Sequence, residues 1–150
     1  MSEDQHFRAL ERMYESAPCN RELEPRLRVH RGEAEIRLTV RQTMFHAAHA
    51  VHGAFFFKML DDAAFFAANS LVDDVFVLTA SLNVNFFRPV TGGELISRGR
   101  VVRAGRRILF AEAVLSDGDG REVARGSGVF ARSEAALDSR LGYHRGEEGE

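Results

Sequence analysis

Between residues 54 and 68 every position is hydrophobic except Lys58, Asp61 and Asp62. A helix of that composition is apolar on nearly all sides, so the pattern predicts a helix from about 53 to 70 wrapped by a sheet or by a partner subunit. Upstream, Phe7, Leu10, Met13 and Tyr14 recur at helical spacing within residues 3–16, with Ser2 as N-cap, which predicts a short amphipathic lid or packing helix. After the break between Pro18 and Pro25, residues 27–41 alternate in two pieces around Arg31-Gly32, as expected of a strand pair or one long bent strand. Downstream, Phe76, Leu78, Ala80, Leu82, Val84 and Phe86 take one face of a long alternating run. Thr79, Ser81, Asn83 and Asn85 take the other, up to Arg88-Pro89.

Gly92-Gly93, Ala104-Gly105 and the run Asp117-Gly118-Asp119-Gly120 then separate three more alternating stretches, at 95–103, 107–116 and 122–131. Short loops between such runs predict an antiparallel meander. One buried helix, flanked by early strands and followed by four antiparallel ones, is an α+β layout in which the sheet curls around the helix. We divide the single domain into an N-terminal helix and linker (1–26), a core (27–132) and a charged, turn-rich tail (133–150) that is expected to fray.

Composition narrows the function classes. A chain of 150 residues with 45% hydrophobic and 28% charged positions is long enough for one buried core and is not disordered. A formal charge of -2 argues against a nucleic-acid binder that works by neutralising phosphates. The single Cys19 excludes an intramolecular disulfide and a cysteine-only metal cage, and suits a reducing compartment. No basic leader with an apolar core opens the chain, and the most apolar run is interrupted within fewer than the ~20 residues a membrane span needs. The expectation is a cytoplasmic protein without membrane contact.

The candidate chemistry is the pair Asp61-Asp62. Desolvating a carboxylate is expensive unless it is paired or hydrogen-bonded. Lys58 stands three residues before one acid and four before the other, so it can reach either. One ammonium does not neutralise two neighbours whose directions differ by roughly a hundred degrees around the helix axis. That pairing accounts for one acid, and the other is either neutralised structurally or held there for chemistry.

The segment HGAFFFKMLDDAAFFAANS, the long strand ending in FFRPVTGGEL and the hairpin R-x-G-R-R resemble the hotdog-fold acyl-CoA thioesterases, in the branch that includes the phenylacetate-pathway enzyme. The resemblance covers roughly residues 27–132, and its most specific part is a His-Gly pair, His52-Gly53, with an acid nine residues after the histidine, Asp61. It implies hydrolysis of an acyl-CoA thioester without a cofactor. Asp61 would be the general base or nucleophile, and the Gly53 N–H at the helix start would hold the carbonyl oxygen, where a helix N-terminus presents unpaired donors. It also implies a homodimer or a dimer of dimers.

This chain departs from the family's Asn-x-x-Gly-x-x-His-Gly-Gly loop. His46 takes the asparagine position and Ala54 replaces the second glycine. His46 and His52 are kept as candidate site residues, and Thr79 as a hydroxyl that steadies the attacking water. Histidines at 46, 49 and 52 would converge on a metal only if the loop were helical; the resemblance already accounts for His52, and no metal is expected. Arg103, Arg106 and Arg107 around Gly105, together with Arg88, are candidates for the coenzyme A phosphates. Phe57 and its aromatic neighbours are candidates for an acyl pocket. The alternative is a non-hydrolytic acyl-CoA or small-ligand binding module on the same fold. A dehydratase is disfavoured by the lack of that family's motif.

Overall fold

The computed structural model describes residues 2–146. Helix α1 (Glu3–Ser16) is followed by strands β1 (Arg26–His30) and β2 (Glu33–Thr39), the long helix α2 (Gly53–Asn69), and strands β3 (Val75–Phe86), β4 (Glu94–Ala104), β5 (Ile108–Asp117) and β6 (Glu122–Ala136). Ser2 starts α1 with a reciprocal capping box: its hydroxyl accepts from the Gln5 N–H, and the Gln5 side chain accepts from the Ser2 N–H. The six strands form one antiparallel sheet in the order β1-β2-β4-β5-β6-β3, curled around α2. This is the hotdog fold. Gly99 lets the helix lie close against β4, because a Cβ there would stand 2.2 Å from the Ala63 carbonyl oxygen.

Three expectations change. First, the run ending at Phe86 is not hairpinned to the next strand. It crosses to the far edge of the sheet beside β6, and only β4, β5 and β6 form a meander. The crossover at 87–93 is pinned by Phe87 N–H to Val123 O, by Val51 N–H to Val90 O and by Val40 N–H to Gly93 O.

Second, β3 does not keep one alternation. Register shifts between Val75 and Val77 and between Thr79 and Ser81 exchange its faces. Val77 is fully buried and Thr79 turns to the helix, whereas beyond the shift Val84 and Phe86 take the inward positions and Leu78 is 53% exposed.

Third, the tail is ordered well past 133. β6 runs on to Ala136, a 3-10 turn occupies Ser139–Leu141, and the buried Tyr143 hydroxyl lies 2.7 Å from His6 Nδ1. The fraying expected of the final residues, 147–150, lies outside the described residues. No helix among the described residues is long and apolar enough to cross a membrane.

Candidate active site

The two adjacent acids of α2 separate as their directions around the helix require. Asp62 Oδ2 accepts from Lys58 Nζ at 2.7 Å and from the Tyr14 hydroxyl at 2.7 Å, so the expected lysine pair is present and α1 adds a second donor. Asp61 faces β3, where its Oδ1 accepts from the Thr79 hydroxyl at 2.8 Å. Burial pushes the Asp61 carboxyl above the ordinary carboxylate range; the Thr79 hydrogen bond opposes this, the Asp62 charge adds to it and Lys58 opposes it. Burial, and next the Asp62 charge, likewise push the Tyr14 phenol up, so it remains a donor.

Asp61 and Thr79 border a cavity of about 560 Å³ whose walls include Met13, Phe65, Phe76 and Leu141. The wall is mainly apolar and draws on α1, α2, β3 and the C-terminal turn. Phe57 borders neither this cavity nor the one at the helix start, being 41% exposed; Phe65 and Phe76 supply the aromatic lining instead.

At the start of α2, His52 is the N-cap, and its Nδ1 accepts from the Ala54 N–H at 2.9 Å. His46 Nδ1 accepts in the same way from the Ala48 N–H at 3.0 Å. An imidazole nitrogen that accepts is unprotonated, so in the neutral form both histidines carry their proton on Nε2. The Gly53 N–H has no acceptor among the described residues. A Cβ at Gly53 would stand 2.6 Å from the Phe86 ring, so glycine is needed here for close approach. His46, Gly53, Phe86 and Arg88 border a second, smaller cavity. The loop carrying the three histidines is a bridged turn, Phe45 pairing with Val51, with His49 at φ 63°, so spacing by three does not bring their side chains to one point.

Within one chain, the Gly53 and Asp61 ends of the helix do not meet. Eight residues separate them, about 12 Å of helix rise. Arg103, Arg106 and Arg107 sit at the β4–β5 turn and border neither cavity. Tyr14 was missed as a site residue: its spacing reads as ordinary helix packing, and only the fold brings it to a residue 48 positions away.

Comparison with known proteins agrees with this architecture. A conserved protein of Pseudomonas aeruginosa is similar in structure, with a TM-score of 0.75 and 29% identity, covering 81% of this chain and 98% of its own. The E. coli PaaI protein from the phenylacetic acid degradation operon has a TM-score of 0.81 at 21% identity, over 89% and 97% of the two chains. AziG of S. sahachiroi has a TM-score of 0.72 at 26% identity, over 77% and 96%. The family model of the thioesterase superfamily matches residues 48–124, which run from the histidine loop through α2 into β6. The chain belongs to the thioesterase superfamily.

Proposed function

We propose that this chain hydrolyses acyl-CoA thioesters to the free acid and coenzyme A, with Asp61 as the reacting carboxylate. The observation that carries this reading is Asp61 itself. It is a partly buried acid on an apolar helix, bound on one oxygen by a neutral hydroxyl, unpaired with a cation, and open to an apolar cavity. As general base, its free oxygen takes a proton from water while the hydroxide adds to the thioester carbonyl. Collapse of the tetrahedral intermediate expels the coenzyme A thiolate, which takes that proton back. As nucleophile, the carboxylate would form a mixed anhydride and expel the thiolate, and water would then cleave the anhydride to the free acid and Asp61, a proton so released passing to the thiolate.

Either route develops negative charge on the carbonyl oxygen, for which the free Gly53 N–H is the natural donor, with His46 Nε2–H beside it. In this reading the two halves, about 12 Å apart along α2, come from different chains. β3 is an edge strand with Leu78 and Phe86 about half exposed, a surface that calls for pairing. Thr79 marks the Asp61 end of β3 and Phe86 the Gly53 end. Antiparallel pairing of β3 with a second copy about a twofold axis near the middle of the strand sets the Thr79 end of one chain against the Phe86 end of the other. Each twofold-related site then combines Asp61 and Thr79 from one chain with Gly53, His46, His52 and Arg88 from its mate.

In the sheet, Leu78, Ala131 and Ile108 lie in one row, so the β4–β5 turn with Arg103, Arg106 and Arg107 is at the Asp61 end. Pairing brings that end alongside the mate's Arg88, a setting suited to the coenzyme A phosphates.

The test is a panel of acyl-CoA thioesters assayed for free thiol, with the parent and Asp61→Asn side by side. The parent is expected to release thiol, and the variant to lose at least ~10²-fold in turnover while still binding, the lower end of what positioned acid-base catalysis contributes. Binding of every thioester by the parent without thiol release would favour the non-hydrolytic module and overturn the assignment.

A further inference from the structure

Lys58 can reach Asp61 at three residues' distance or Asp62 at four, and helix geometry permits both. Its ammonium is on Asp62, and the Tyr14 hydroxyl converges on the same Oδ2. Lys58 also lies 5.4 Å from the centre of the Tyr14 ring, so the phenol holds the cation by its face as well as by the shared carboxylate. Asp61 is left with one neutral donor, Thr79. Tyr14 belongs to α1, outside the 48–124 stretch that the superfamily model matches. The clamp therefore joins an element outside that stretch to the helix inside it.

We propose that Tyr14 and Asp62 are positioning residues that hold the Lys58 ammonium off Asp61, leaving the second Asp61 oxygen for water or substrate. The proposal rests on the reading of Asp61 as the reacting carboxylate. An ammonium settled on that carboxylate would occupy its free oxygen and make it a weaker base.

The charged and titratable groups around Asp61 are few. Its own helix supplies Lys58 and Asp62, α1 supplies Tyr14, the turn after α1 supplies Cys19, and the C-terminal turn supplies Arg140. β3 presents only the non-titrating Thr79. Arg140 is itself paired with Asp138 at 2.7 Å, so Lys58 is the cation poised to change partners.

The experiment follows the acid limb of kcat/KM against pH, together with the NMR titration of the Asp61 carboxyl carbon, which needs no activity. In Asp62→Asn the lysine is released to Asp61, and both the limb and the NMR midpoint are expected to fall by about one pH unit, the low end of the effect of an adjacent opposite charge. In Asp62→Asn with Lys58→Gln both should return toward the parent position. Lys58→Gln alone keeps Asp62 and should move them up, which provides a test with the opposite sign should Asp62→Asn fail to fold. Tyr14→Phe should move them down by less than Asp62→Asn.

An unmoved midpoint in Asp62→Asn, or the same shift with and without Lys58, would overturn the proposal. An unmoved midpoint in Tyr14→Phe would overturn the part assigned to Tyr14. Failure of the underlying reading looks different: Asp61→Asn would then stay active, whatever the carboxyl titration shows.

Discussion

The Asp61 carboxyl holds its proton more tightly than an ordinary aspartate, and this has a consequence for stability. Its folded-state proton affinity is raised, by burial first and by Asp62 next, so the folded state binds the proton more tightly than the unfolded chain does. The stabilisation is present in full below the ordinary carboxylate range and is lost as pH rises through the raised value. At neutral pH the ionised group is therefore a burden, and Asp61→Asn should melt at a higher temperature than the parent. The gap should shrink as pH falls to about 4, near the ordinary range for Asp, with thermal melts across pH as the measurement. A gap independent of pH would show that the carboxyl is not strained by its surroundings. Asp62→Asn should lower turnover by no more than about tenfold, because release of Lys58 to Asp61 weakens the base by about one pH unit. Asp61 was legible in the sequence because a charge inside an apolar run demands a reason. The Lys58–Asp62 pair was legible too, from the four-residue spacing and the family resemblance, but the Tyr14 hydroxyl on the same carboxylate was not, because no local spacing could place it there.

Among the elements, both helices and the four later strands follow from periodicity, because each buries one face and its pattern records that face; residues 27–41, read as a strand pair or one long bent strand, fold as the pair β1 and β2. What periodicity could not give is the place of β3. β5 and β6 lie between β3 and β4 in the sheet, yet the seven-residue link with Pro89 that joins β3 to β4 reads locally like any other turn. Nor does an alternating run reveal the two register shifts by which Thr79 comes to face Asp61.

The ordered tail was hidden for a related reason: its polar sequence is held by a few long-range contacts. His6 is central to them. Its Nε2 pairs with the Asn69 carbonyl at 2.9 Å, so that nitrogen is the donor, and Nδ1 accepts from the Tyr143 hydroxyl. Burial holds its proton affinity below the usual 6.5, although the Asn69 carbonyl works against this. A lowered value stabilises the fold fully above the ordinary value and ceases to do so as pH falls through the lowered one. Acidification below 6.5 should therefore speed hydrogen exchange in α1 and the C-terminal turn before it affects β4, β5 and β6. Uniform acceleration of all elements would contradict the role of His6.

For the molecule as a whole, an open edge at β3 and two half-sites on one helix point the same way. A stable, compact 16.8 kDa species at micromolar concentration in sedimentation would remove the assembled site altogether. If the turn arginines meet the coenzyme A phosphates, Arg106→Glu should raise KM for acyl-CoA with little change in kcat, and should leave a short pantetheine thioester unaffected. Equal losses for both substrates would make the cluster structural.

The most direct test mixes two inactive variants. Asp61→Asn removes the carboxylate, and Gly53→Pro combined with Phe86→Ala removes the helix-start N–H at the first helical position, where proline is tolerated once the Phe86 ring, 2.6 Å from a Cβ there, is cut back. Each should be dead alone, with its circular dichroism and assembly unchanged. After subunit exchange, a mixed dimer would hold one doubly defective site and one intact site. Random mixing in equal amounts should therefore restore thioester hydrolysis at about a quarter of all sites. Mixed dimers that form and remain inactive would contradict a site built from Asp61 of one chain and Gly53 of the other.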